Sequence, residues 1–142
     1  MTFPKAELAE PTANSYKGKH RTLIIDDDIA VADSIAMVLN TDGFEARAVY
    51  SGEAGIELAR SREFGFLVTG VVMPQMNGIE AAIEICKLLP KCKVLLVSGD
   101  NNTTSLLQDA VSRGYKFEIL PKPVHPLVLF DALRSLQLAQ SA

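Results

Sequence analysis

The sequence predicts an α/β fold, a parallel sheet with helices on both faces. Two observations lead there. From Arg21 onward, short apolar runs alternate with longer segments whose apolar residues recur at helical spacing. Strict alternation of this kind joins neighbouring strands by crossovers and makes them parallel. The second observation is size. A chain of 142 residues, 48% hydrophobic and 22% charged, is enough for one domain with one real core.

Each element has its own local signal. "TLIID" (22–26) reads as a buried strand. Residues 29–39 place Ile29, Ala32, Ile35, Ala36 and Leu39 on one helical face. Gly43 stops that helix, and a second strand runs over 44–49. Ser51 caps a helix with Glu53 in its first turn, ending near Arg60. The third strand is 65–69. Asn77 caps a helix with Ile79, Ala82, Ile83, Cys86 and Leu89 inward, stopped by Pro90. "KVLLVS" (93–98) is the fourth strand. Thr103 or Thr104 caps a helix to Arg113, with Gly114 at its C-terminal end. "FEIL" (117–120) is the fifth strand, and Pro126 opens a last helix to about Leu138. Right-handed crossovers leave few strand orders for five such units. The expected one is the flavodoxin-like (βα)5 order 2-1-3-4-5, a doubly wound sheet. Residues 21–142 form this domain. Residues 1–20, rich in Pro, small polar residues and charges, are expected to be a flexible N-terminal extension. A short docking helix around Lys5 to Glu10 is the alternative.

Composition narrows the function. A formal charge of −3 with no basic stripe argues against nucleic-acid binding. No apolar stretch approaches the roughly 18 residues of a membrane span, and the N-terminus has no signal-peptide core. A cytoplasmic location is the expectation. Cys86 and Cys92 fit no zinc spacing and read as free thiols, while His20 and His125 are isolated.

In this fold ligands bind beyond the carboxyl ends of the strands, where the strand order reverses. That point lies between strands one and three. The rim is therefore Asp26, Asp27 and Asp28 after strand one, Gly70 after strand three, Ser98 after strand four and Lys122 after strand five. Three consecutive acids repel one another. They read either as one helix cap with two solvated loop acids or as a hard-cation site suited to Mg²⁺. Lys122, between two prolines, is a surface lysine or a point charge for a phosphate or carboxylate. Ser98 is a hydroxyl donor or ordinary turn chemistry before Gly99.

Taken in order, "LIIDDD", "VVMPQMNGIEA", "VLLVSG" and "LPKPV" resemble the response regulator receiver domain of two-component signalling, over about Arg21 to Leu138. The resemblance implies a phosphorelay role, in which a histidine kinase donates a phosphoryl group to an aspartate at the end of strand three with Mg²⁺ bound. It makes Asp26 and Asp27 the metal-binding pair, Asp27 the more direct ligand, and the backbone carbonyl of Val72 a third. Ser98 and Lys122 match the residues that contact the phosphoryl group. The phosphoacceptor position, four residues before Pro74, is Gly70. Thr69 points to the other face of the strand, so Asp28 or Asp100 would have to reach across the pocket. The aromatic switch position is Ile119, with Phe117 two residues earlier, and Gln75 stands where many members have glycine.

These departures imply a receiver that takes no phosphoryl group, binds Mg²⁺ weakly or not at all, and acts as a non-enzymatic interaction module. The alternative is a phosphorylation-driven switch whose acceptor was replaced by engineering or recent loss. The intact Asp26–Asp27 pair, Ser98 and Lys122 lean toward the latter. A haloacid-dehalogenase-like phosphatase is a third reading, because Asp26-Asp27-Asp28 contains Asp-x-Asp. Against it, Ile29-Ala30 follows where that family resembles Gly-Thr. Expected partners are a histidine kinase or other signalling protein. In the last helix Leu127, Phe130, Leu133 and Leu136 should face the sheet, with Val128, Leu129 and Ala132 as a homodimer or partner stripe.

Overall fold

Four of the strands form where leucine and β-branched residues cluster, and one edge strand has the sequence EARAV. They are β1 (Arg21–Ile25), β2 (Glu45–Val49), β3 (Phe66–Gly70), β4 (Lys93–Ser98) and β5 (Glu118–Pro121). All pair in parallel, in the order β2-β1-β3-β4-β5. The helices are α1 (Ile29–Asn40), α2 (Gly52–Ser61), α3 (Gly78–Leu88), α4 (Thr104–Ser112) and α5 (Pro126–Ser141). The computed structural model describes residues 20–99 and 103–141. The expected extension, apart from His20, its alternative helix over Lys5 to Glu10, and Asp100 lie outside the described residues.

Side chains alternate across a strand, and both faces of this sheet are covered. Leu23, Ile25, Leu67 and Leu96 pack with α2, α3 and α4 through Ala59, Ile83 and Ala110. Ile24, Phe66, Val68, Leu95 and Val97 pack on the other face with α1 and α5 through Ile35, Leu39, Leu129 and Leu133. The central strands are nearly inaccessible, which is why β3 and β4 read as continuous apolar runs.

Some boundaries differ by one residue from the sequence pattern. β1 ends at Ile25, so Asp26 begins the following loop, although its amide still reaches the Val49 carbonyl at 3.3 Å. β3 extends through Gly70, which pairs with Val97. Glycine carries no strand propensity, but the flanking ladders supply the bonds. β5 begins at Glu118 and leaves Phe117 just outside.

The loops at the carboxyl edge are pinned by side-chain caps. Asp28 accepts from the Val31 amide (3.2 Å), Ser51 from Ala54 (3.1 Å) and Asn77 from Glu80 (2.9 Å). Each such cap contributes about 1 kcal/mol. Thr103 precedes α4 without a side-chain cap bond. At the opposite edge Asn40 clasps β2, accepting from the Ala46 amide at 2.7 Å and donating to the Ala46 carbonyl at 3.2 Å. Cys86 and Cys92 are free. Burial pushes their thiols up to about 11 and about 12, so neither is a reactive thiolate near neutral pH.

The loop between β3 and α3 is tightly drawn. The Gly78 amide donates to the Val71 carbonyl at 2.8 Å, and a Cβ at Gly78 would run into the Gly70 carbonyl oxygen. Glycine at 78 is thus required by the close return of the chain to the end of β3. Gln75 has φ 68°, in the left-handed region. This accounts for glycine as the expected residue there, since a side chain is strained in that conformation.

The last helix corrects the expected stripe. Leu129 and Leu133 are buried in the core, whereas Leu127 is 66% exposed and Val128 47%. Leu129 is therefore not available to a partner, and Ala132 is a partly buried neighbour of the same core. A three-residue repeat drifts by about 60° per step around a helix of 3.6 residues per turn. Leu127 and Leu133 consequently fall on different faces. The same drift leaves Ile29, expected inward, 56% exposed at the start of α1.

Two predictions test these assignments. Leu133→Ala should cost about 2–5 kcal/mol in urea unfolding, while Leu127→Ala stays within about 0.5 kcal/mol of the parent. Equal costs would show that the helix packs on its other face. Gln75→Gly should raise stability by about 0.5–1 kcal/mol, the left-handed strain relieved less the added entropy of an unfolded glycine. A loss in the same assay would place a stabilising contact on the Gln75 side chain.

Candidate functional site

The site lies at the carboxyl edge of the sheet, where β1 and β3 lie side by side and their connections depart to opposite faces. Asp26 follows β1 and keeps the parity of Ile24. Gly70 ends β3 with the parity of Phe66 and Val68. Both therefore face the α1/α5 side of the sheet. A Cβ built on Gly70 would lie 2.9 Å from Asp26 Oδ2. The two positions face each other, and the place beside the Gly70 α-carbon is filled by the Asp26 carboxylate.

Asp26 is 1% exposed, an unusual position for a carboxylate. Its Oδ1 accepts from the Asp28 amide at 3.0 Å. Its Oδ2 has no aligned hydrogen-bond donor, and its compensation is the Lys122 ammonium, with Nζ at 2.6 Å. The Lys122 side chain is 27% exposed, so this pair is largely shielded from solvent. Removing one partner of a buried pair costs about 3–5 kcal/mol, because the other charge is left uncompensated.

Lys122 is held by its backbone. Its amide donates to the Ser98 carbonyl at 2.9 Å, and the Lys122–Pro123 peptide is cis. Ser98, the last residue of β4, is buried. Four of the residues named from the sequence thus converge: Asp26, Gly70, Ser98 and Lys122. Asp28 is the α1 cap. Asp27 is exposed beside them, and Val72 lies 58% exposed in the following loop. Ile119 is half-buried against the core on the α2–α4 face, while Phe117 stacks on Tyr115 with ring centroids 5.9 Å apart. Thr69 turns away from the pocket. Its hydroxyl donates to the Gly70 carbonyl at 3.0 Å on the α3 side.

One rim feature escaped the sequence. The Tyr50 hydroxyl donates to Asp33 Oδ1 at 2.6 Å, tying the end of β2 to α1. This bond, with lesser contributions from burial and the Asp33 charge, holds the phenol above its usual range. Seventeen residues separate the partners, and no local pattern announces such a pair.

The donor set can be tested against the divalent ion expected from the resemblance. Mg²⁺ asks for several oxygen ligands in near-octahedral geometry. Here position 70 offers no carboxylate, Asp28 is engaged as a cap, and both Asp26 oxygens are occupied. Among the described residues no group of three His, Cys, Asp or Glu is placed to hold a metal ion. Asp27 and the Val72 carbonyl are what remains of the expected ligands, a set that fits the ion poorly.

Comparison with known proteins agrees with the fold and the family. The sequence model of the response regulator receiver domain matches residues 22–134. A response regulator receiver protein of Anaeromyxobacter sp. (strain Fw109-5) is 31% identical over 104 residues, 73% of this chain and 43% of its own length. The cell cycle response regulator CtrA of Brucella ovis is 30% identical over 108 residues, 74% of this chain and 44% of its own. The chain thus spans less than half the length of these relatives. Among solved structures, a CheY-like receiver domain protein of Methanospirillum hungatei JF-1 superposes with TM-score 0.76 at 25% identity, covering 85% of this chain and 96% of that one. Receiver domains of this family generally bind Mg²⁺ at the acidic site and interact with histidine kinases and other signalling proteins. Five parallel strands in the order 2-1-3-4-5, an acidic edge with its lysine, and a match across most of the sequence lead to one assignment: the chain belongs to the response regulator receiver domain family.

Proposed function

We propose that this chain is a receiver module of two-component signalling that works through protein contacts and does not carry a phosphoryl group. The observation behind this reading is Gly70. Phosphoryl transfer to a receiver forms a bond from a carboxylate oxygen to phosphorus while the donor's bond to phosphorus breaks. Glycine supplies no such oxygen. Thr69 is turned to the opposite face, and Asp26 is buried in an ion pair. A response regulator of Burkholderia pseudomallei, 23% identical, has been solved with a phosphorylated aspartic acid and a calcium ion.

Under this reading the partner is a histidine kinase or another signalling protein, met in the cytoplasm, and the module has no enzymatic activity of its own. Among the described residues no helix is long and apolar enough to cross a membrane. A homodimer or partner face on α5 would use the exposed Leu127 and Val128 and not Leu129. The phosphatase reading is disfavoured by the same geometry, since Asp26 is ion-paired and Asp28 is a helix cap.

The second reading is a phosphorylation-driven receiver that has lost its acceptor. It draws on the retained convergence of Asp26, Ser98 and Lys122. One experiment separates the two. Given a small phosphodonor and Mg²⁺, the parent should show no acid-labile phosphoprotein by intact mass. Gly70→Asp should become phosphorylated, provided the Asp26 carboxylate moves aside for the new Cβ. Stoichiometric modification of the parent would overturn the proposal. A folded Gly70→Asp that stays unmodified would show that the site has diverged beyond one residue, against the second reading.

A further inference from the structure

We propose that Lys122 is the resident cation of this site, and that its ammonium closes the acidic edge to divalent ions. The inference deepens the functional reading above and rests on the same description of the site. Asp26 Oδ2 is buried, has no aligned hydrogen-bond donor, and lies 2.6 Å from Lys122 Nζ. The other oxygen of that carboxylate is taken by the Asp28 amide. An Mg²⁺ ion ligated by Oδ2 would sit about 2.1 Å from it, hence at most about 4.7 Å from the ammonium. A divalent ion and a lysine at that range repel strongly where water is scarce. An ion ligated by Asp26 Oδ2 can enter only by evicting the lysine.

Glycine at position 70 makes that eviction hard. A carboxylate there would offer the ammonium a second partner on the same side of the sheet. In this chain the Asp26 carboxylate occupies that space, within 2.9 Å of the missing Cβ. The lysine is further fixed by its amide bond to the Ser98 carbonyl. Its stem passes Gly99, where an ideal Cβ would be 3.9 Å from Lys122 Cβ and Cδ. The outcome is an acidic edge neutralised from within, whose state does not follow Mg²⁺ concentration.

The test is titration of the full chain with MgCl₂ alone, followed by calorimetry and by backbone amide resonances. In the parent, the amides of Asp27, Gly70 and Val72 should not shift saturably at millimolar Mg²⁺. Lys122→Gln and Lys122→Met should bind the ion at least about tenfold more tightly than the parent, since the repelling charge is gone. Saturable shifts in the parent would overturn the proposal, as would a folded Lys122 variant that binds no better. If the variants fold only when Mg²⁺ is present, the ion replaces the ammonium as proposed. If they fold under neither condition, the parent titration decides by itself. A parent that binds Mg²⁺ yet takes no phosphoryl group would overturn this inference alone and leave the proposed function standing.

Discussion

A parallel sheet has to be covered on both faces, and the arrangement of this domain follows from meeting that constraint. Crossovers place α1 and α5 on one face and α2, α3 and α4 on the other. The period-two alternation then sorts every residue of the central strands to one core or the other. Leu23 and Ile25 go to one side, Ile24 to the opposite side. Carried past the strand ends, the same parity brings Asp26 and the α-carbon of Gly70 to a common face. The edge where strand order reverses is left open by the departing connections, and the polar residues collect there.

At that edge the governing term is electrostatic. A carboxylate taken out of water needs a compensating charge or several donors. Asp26 has one backbone amide and the Lys122 ammonium. Without a side chain at position 70, these two oppositely charged groups are each other's nearest solution. The pair joins the loop after β1 to the loop after β5, across a sheet in which those strands are not neighbours. In that role the lysine is a structural tie. The half-buried Ile119 and the Tyr115–Phe117 stack sit on the other face of the sheet.

Much of this was legible before any coordinates. Ser51 and Asn77 announce themselves as helix caps because short polar side chains ahead of an apolar period leave few other roles. The rim residues followed from strand order alone. What the pattern misread are residues at helix starts and in the last helix. Leu127 and Ile29 are apolar and correctly spaced over one turn, yet exposed, because a three-residue repeat drifts around the helix away from its buried face. Leu129 looked spare and is core, because the true contact follows i to i+4 through Leu133. The Asn40 clasp and the Tyr50–Asp33 bond join residues distant in the chain, where local periodicity carries no information.

The sequence by itself determined the fold class, the strand order, the family, and the absence of an acceptor oxygen at position 70. Those properties reside in periodicity, punctuation and residue identity, which are local and survive in a linear string. Only the tertiary structure decided which charges meet. That Asp26 is buried, that Asp27 is not, and that Lys122 reaches the first depend on through-space distances of a few ångströms between residues about a hundred positions apart. Coulomb energies and desolvation change steeply over such distances, and chain order does not encode them.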